Sequence, residues 1–372
     1  MASGQKEKKH LSRGQLLFCG ASVLALVLSF VYSSEAIDAM GEGMRLCVRT
    51  VIPSLFPFMV LGEVFVRSGA PELFGRYVGR VLSVPLGLSP EGSSAWLIGI
   101  LFGFPVGTRS ALTLYREGRV SRGELIRLCM LCNNPSSAFL INAVGISLFG
   151  SQRLGVLLYA SHLICSLLLG VALTLSFGSS ARRGMGEHPL TALSAKHRSG
   201  GALSSIADAV TGSAQSMLYI CAFVVFFGAF IAILRRATDR LCLPPLAEVL
   251  ILGFFEMTSG VSAAASLPRS LAIAAVAAIT GWSGMSVCFQ FVGLCSDERL
   301  PLYPYLTAKA LCAALNVGIT LLLVRVFGSG IGEMSGGSVG SWLVLESDAM
   351  SLFSLALFIS SALFYILHRA KK

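Results

Sequence analysis

The sequence predicts an all-α polytopic membrane protein of about eight transmembrane helices plus two re-entrant helical hairpins, arranged as two inverted repeats. Three observations predict it. Hydrophobic residues make up 54% of the chain, charged residues only 13%, and mean hydropathy is +0.75, whereas a soluble domain carries about 25% charged residues. Apolar runs near the ~20 residues that cross a bilayer recur with short polar connections. Several of these runs are interrupted in their middle by glycine, proline or polar residues, and the interruptions recur in the same order in the two halves of the chain.

Composition also excludes several classes. The net charge of +10 would suit nucleic acid, but the basic residues lie in short clusters between apolar segments. That is the pattern of cytoplasmic loops, so the lipid bilayer is the expected partner and nucleic acid is not. The ten cysteines mostly lie within apolar segments. Cys129 and Cys132 form a CxxC, but no second pair or histidine follows at zinc-site spacing, so they read as small membrane-core residues. No metal or other cofactor is expected. HExxH and Walker A motifs are absent, and the aspartates lie outside or at span ends. An enzyme is therefore not expected.

Along the chain, residues 1–40 hold a basic N-terminus (Lys6, Lys8, Lys9, Arg13) and a first span, Gln15–Ser33, read as a retained signal-anchor. Ser34–Gly43, with Glu35, Asp38 and Glu42, reads as an outside loop. The first repeat covers 41–177. It comprises a span over Met44–Val66 with Pro53, Pro57 and Glu63, an interfacial stretch over Arg67–Leu88, a hairpin over Leu97–Tyr115, a span broken at Asn133–Ser137, and a plain span over Leu154–Phe177. A cytoplasmic linker covers 178–203. The second repeat, 204–327, gives a span, a hairpin over Leu246–Leu267, a span broken at Gly281–Ser286, and a plain span over Tyr303–Phe327. Residues 328–372 form a Gly/Ser-rich exterior loop and a last span, Met350–Leu367.

With the N-terminus inside and both hairpins returning to their starting side, the chain makes eight crossings and ends inside. The two repeats then enter the membrane from opposite sides. The basic residues favour the inside loops, with Arg235, Arg236 and Arg240 running against the bias. Inverted repeats with paired broken helices are the pattern of secondary transporters, whose site lies near the midplane.

The candidate substrate-binding residues are those at the interruptions. The first hairpin tip supplies Gly103, Pro105, Gly107, Thr108 and Arg109; the first break supplies Asn133, Asn134, Ser136 and Ser137. The second tip supplies Glu256, Thr258 and Ser259, and the second break Ser283, Ser286 and Gln290. A break of this kind belongs inside protein or against a watery cavity, because lipid offers no partner to exposed backbone groups. Arg109 suits either a clamp to Glu63 or Glu256 or an anionic group on a substrate. Glu256 suits either a cation or proton, substrate hydrogen bonds, or the cap of the half-helix that starts at Thr258. Glu63, His162 and Lys309 are ionisable groups within spans, read as charge relays or counter-charges, or as groups with a buried structural partner.

Pro53–Glu63 (PSLFPFMVLGE), Gly103–Arg109 (GFPVGTR), Asn133–Phe139 (NNPSSAF), Phe255–Gly260 (FEMTSG) and Tyr303–Lys309 (YPYLTAK) together resemble, in order and spacing, the YlbJ (SpoVV) family of sporulation integral membrane proteins. The resemblance runs from about Gly41 to Val326. It implies two nucleoside-recognition (Gate) domains similar to the core of concentrative nucleoside transporters. It also implies a transporter that moves dipicolinic acid toward the forespore, with the cell membrane, and in particular the outer forespore membrane, as its location. Arg109 stands where the family's hairpin ends in a Lys-type cation, and Phe104 where Tyr is frequent. Dipicolinate is a flat dianion for which Arg109 and Lys309 would be counter-charges. The expected ligand is thus a small anionic or aromatic solute. A nucleoside or other metabolite carrier and a non-transporting structural protein of sporulation are the alternatives. A proton or sodium as coupling ion, and a homo-oligomer, are left open.

Overall fold

The computed structural model describes residues 13–67, 79–183, 202–239 and 243–328. Every regular element among them is a helix. Among the described residues four helical stretches are long and apolar enough to cross a membrane: Gln152–Leu175, Ile206–Arg236, Arg269–Leu294 and Leu302–Phe327. A fifth is formed if the bent pair Ser22–Val31 and Ser33–Val51, at 94°, is one span. Three shorter apolar helices accompany them: Leu55–Phe65, Phe139–Leu148 and Pro245–Phe255. The expected last span, the exterior loop from Ser329 onward and most of the linker lie outside the described residues, as does the basic stretch before Arg13.

The chain opens with α1 (Arg13–Val31) and α2 (Ser33–Leu46), then a π-helical turn over Cys47–Val51 and α3 (Ile52–Arg67), which carries Pro57. Ser34–Gly43 is therefore helix, not the expected loop. Its acidic residues do not prevent this, because Ala, Glu and Met are good helix formers, and Ala36 and Gly43 supply a small-residue face that is buried. A β-carbon on Gly43 would lie 3.3 Å from the Val225 backbone of the long helix that follows later. The linker too is shorter than expected, because helix occupies both its ends, through Arg183 and from Ala202.

After α4 (Arg80–Leu86), the first hairpin is α5 (Pro90–Phe102) and α6 (Val106–Arg116). It starts earlier than the apolar run suggests, because Ser89 accepts from the Gly92 amide as an N-cap and Pro90 fills the first helical turn. Next come α7 (Arg122–Cys132), the break, a π-helical segment over Phe139–Leu148, and α8 (Gln152–Arg183). The second half runs α9 (Ala202–Asp239), a hairpin of α10 (Pro245–Phe255) and α11 (Met257–Ala264), then α12 (Arg269–Trp282), α13 (Gly284–Leu294) and α14 (Leu302–Phe327). At 8 to 13 residues, no hairpin arm can cross the hydrocarbon core alone.

The two hairpins are built alike. A β-carbon on Gly107 would lie 2.3 Å from Gly99 Cα and 2.9 Å from the Cys132 carbonyl. One on Gly260 would lie 2.2 Å from Gly253 Cα, while Gly253 packs on Ile279. In each hairpin the arms touch backbone to backbone, and the pair seats on the helix leading into that half's break. Small residues permit such approach where helices pack without a hydrophobic drive.

Charge pairs fix the ends. Arg116 Nε donates to Glu298 Oε1 at 2.6 Å, and Arg122 donates to the Glu298 and Arg299 carbonyls at 3.0 Å, joining the end of the first hairpin to the loop after α13. Arg235 pairs with Glu248 at 3.2 Å and Arg236 with Glu35 at 2.9 Å. Two of the arginines that ran against the charge bias are thus matched by acidic partners; Arg240 lies outside the described residues.

Gly107→Ala and Gly260→Ala each force backbones apart and are expected to cost about 2 kcal/mol, the scale of core overpacking. Gly318→Ala, which meets nothing within 4 Å in the interior of α14, is expected to leave the melting temperature in detergent unchanged or to raise it, since alanine favours a helix over glycine by up to about 1 kcal/mol. Thermal unfolding of the three variants checks both statements.

Candidate functional site

Both hairpin tips and both breaks converge. At the first tip Gly103 takes a left-handed φ of 72°, and a β-carbon there would strike Ser136. The Phe104 amide donates to the Asn134 carbonyl at 2.9 Å, so the tip docks on the first break. At the second break Ser283 and Gly284 have φ of 73° and 83°, and a β-carbon on Gly284 would lie 2.8 Å from the Met257 amide. Trp282 Nε1 donates to the Phe254 carbonyl at 3.0 Å and its ring stacks on Phe254, so the second break docks on the second tip.

Each interruption satisfies much of its own backbone. Glu256, 2% exposed, caps α11 by accepting from the Thr258 and Ser259 amides at 3.0 and 2.5 Å. Of the roles open to it from sequence, the cap is the one its contacts fill. Ser136 Oγ accepts from the Phe139 amide at 3.1 Å at the start of the π-helical segment. Asn134 Nδ2 donates to the Leu131 carbonyl at 2.6 Å, and Asn133 Nδ2 to Tyr305 Oη at 2.8 Å. Tyr305 in turn stacks on Phe291 with ring centroids 4.2 Å apart. Ser137 Oγ donates to the Leu101 carbonyl at 2.9 Å.

Between these elements lies a cavity offering about 60 Å³ to the centres of water molecules. Its polar wall is Asn133, Asn134 and Ser136 from the first break, Glu256 and Thr258 from the second tip, and Ser283, Ser286 and Gln290 from the second break. Its apolar wall includes Phe102, Phe104 and Phe139, closed by Leu55, Phe58 and Met59 of α3 and by Ile220 and Val224 of α9. Two polar atoms in this wall, Asn133 Oδ1 and Ser286 Oγ, have no hydrogen-bond partner among the described residues although both residues are only 1% exposed. A buried polar atom without a partner costs about 1–3 kcal/mol and calls for an explanation such as water or a ligand.

The other expected site residues stand apart from the cavity wall. Gly103, Pro105, Gly107 and Thr108 form the buried frame of the first hairpin, and Ser259 contributes its amide to the Glu256 cap. Arg109 is half-buried and donates to the Gly212 carbonyl at 3.4 Å, which ties the first hairpin to α9. Glu63 is half-buried on α3. His162 belongs to a buried network elsewhere. Asn316 Nδ2 contacts His162 Nε2 at 2.9 Å, Thr280 Oγ1 lies 3.0 Å from the same nitrogen, and Ser161 bonds Asn316 and Thr320. That network cross-links α8, α12 and α14, so a structural partner is what His162 has found. Lys309 donates to the Asn133 carbonyl and, at 3.1 Å, to Ser283 Oγ. It contacts the cavity wall at two of its residues, Asn133 and Ser283.

Sequence reasoning missed the lid. Phe58 and Met59 lie in an apolar run like any other span, and only the fold shows that they face the breaks. Tyr305 and Asn316 carried a fainter signal, as polar groups in an otherwise apolar helix.

The sporulation integral membrane protein YlbJ of Bacillus subtilis (strain 168) is 26% identical to this chain over 345 residues, which is 84% of each. The chain is thus similar to a member of the YlbJ family. It is accordingly similar to a sporulation membrane protein along nearly its whole length, both hairpins and both breaks included in that span of similarity. No family model matches the chain, and no solved structure matches it.

Glu256→Ala removes both acceptors of the α11 cap and is expected to cost about 1–2 kcal/mol. Glu256→Gln, which keeps one side-chain oxygen, is expected to cost less. Chemical denaturation in detergent would rank the two against the parent protein.

Proposed function

We propose that this chain is a member of the YlbJ family and a secondary transporter of a small anionic solute, with dipicolinic acid moved toward the forespore as the leading candidate. The observation that carries the reading is the single cavity walled by both hairpin tips and both breaks, with Asn133 Oδ1 and Ser286 Oγ unpartnered inside it. A scaffold has no use for polar atoms left without partners inside a membrane core, whereas a binding site leaves them for its ligand. The aromatic rings on the opposite wall suit a flat solute, and the polar wall suits its carboxylates.

On this reading each half is one Gate-like repeat, in the order span, hairpin, broken helix, long helix: α3, α5–α6, α7 with the π-helical segment, and α8, then α9, α10–α11, α12–α13 and α14. Inverting the second relative to the first gives eight crossings with both termini in the cytoplasm, in the cell membrane and, during sporulation, in the outer forespore membrane. Sites at the interface of such repeats, lined by the ends of discontinuous helices, are how secondary transporters bind their cargo.

Uptake of labelled dipicolinate and of labelled nucleosides into proteoliposomes is the test. Saturable dipicolinate uptake that excess uridine leaves unchanged is expected; uptake of nucleosides with none of dipicolinate overturns the choice of solute, and uptake of neither overturns transport. Ser286→Ala, which removes an unpartnered hydroxyl donor from the cavity wall, is expected to lower dipicolinate uptake about tenfold, the value of one hydrogen bond to a charged group. Arg109→Ala, whose side chain is outside the cavity wall, is expected to stay within about twofold of the parent.

A further inference from the structure

Lys309 is 2% exposed and sits on α14, yet its ammonium joins the two breaks. It donates to the backbone carbonyl of Asn133 in the first half and to Ser283 Oγ in the second. An ammonium has three donors, and those contacts engage two. Among the described residues no carboxylate pairs with it, the ion pairs all lying elsewhere. Glu256, the carboxylate in the cavity wall, already holds two amides of α11. A buried cation without an anion is costly, and an ionisable group at membrane depth calls for a named partner.

Two independent features at the same place point to an anion. The α13 helix begins at Gly284, directly after Ser283, and no side chain caps its N-terminus. Its first amides, with the positive end of the helix dipole, are thus free to meet negative charge. In that first turn Ser286 Oγ is buried and unpartnered in the cavity wall. The half-helix starts at Ser136 and Glu256 are capped by side chains and those at Val106 and Gly284 are not; of these two, the start at Gly284 adjoins Ser283, which Lys309 touches.

We propose that Lys309 selects the charge of the solute. This rests on the transporter reading and goes further, by assigning a carboxylate to one corner of the cavity. One carboxylate of the solute seats between the start of α13, Ser286 Oγ and the Lys309 ammonium, with the ring against Phe104 and Phe139. The solute carboxylate then competes with the Asn133 carbonyl and Ser283 hydroxyl for the same N–H groups. Because those two acceptors belong to different halves, binding the solute loosens a tie between them. Arg109 is not needed for charge selection.

The test compares dipicolinate with pyridine-2,6-dicarboxamide, a neutral molecule of the same outline, by calorimetric titration of the full chain purified in detergent. The parent protein is expected to bind dipicolinate at least about thirtyfold more tightly, the lower range for a buried hydrogen-bonded charge pair. Lys309→Met is expected to lose that preference while its affinity for the diamide changes less than threefold. Equal affinity for the two solutes in the parent, or a preference retained in Lys309→Met, overturns the assignment. Should Lys309→Met fail to fold, Ser283→Ala decides, since it keeps the ammonium and removes a competing acceptor. Dipicolinate is then bound as tightly as by the parent or more tightly, and a loss of more than twofold overturns the assignment. If the parent binds neither solute and carries neither into proteoliposomes, it is the transporter reading that falls, and the role of Lys309 in solute selection falls with it.

Discussion

Everything in this fold depends on one constraint: a helix interrupted inside an apolar environment must find partners for its freed amides and carbonyls within the protein. The chain meets it by docking interruption on interruption. The Phe104 amide of the first tip is satisfied by the Asn134 carbonyl of the first break, and the Phe254 carbonyl beside the second tip by Trp282 beside the second break. Lys309 then takes the Asn133 carbonyl and the Ser283 hydroxyl together. Once the breaks are required to satisfy one another, they must meet, and their meeting place is the cavity.

The same constraint explains the small residues. Tips reach the breaks only if the hairpin arms close tightly, and Gly99 against Gly107 and Gly253 against Gly260 allow that closeness. Larger residues there would hold the arms apart and leave the tips short of their partners. The hairpins are therefore not insertions decorating a bundle; their packing sets where the polar wall stands.

Much of this was legible in the sequence. Gly103-Phe104-Pro105 and Asn133-Asn134-Pro135 interrupt apolar runs with residues that do not continue a helix well, and such punctuation is local enough to read without a structure. The polar wall followed, since Asn133, Ser136, Glu256, Ser283, Ser286 and Gln290 were all expected in the site and all line the cavity. What could not be read is direction. Arg109 was expected among the substrate-binding residues and Lys309 only as a relay, a counter-charge or a residue with a buried partner, but the turn of a helix sends Arg109 to the Gly212 carbonyl and Lys309 to the two breaks. The helix over Ser34–Gly43 was hidden for a different reason: its polar composition matches a loop, and only the long α9 helix beside it reveals the buried face of Ala36 and Gly43. Helix termini were partly legible, as the Ser89-Pro90 start of α5 illustrates, because a cap is a short-range signal.

The chain is similar to YlbJ of Bacillus subtilis, a sporulation membrane protein. The measurement that tests the central claim most directly is an electron cryo-microscopy map of the purified protein with dipicolinate added. The account predicts density for a flat molecule between Phe104 and Phe139 on one side and Ser286 and Gln290 on the other, with one carboxylate at the start of α13. A map with the solute bound at another place, or with the cavity filled only by ordered water at saturating dipicolinate, would contradict it.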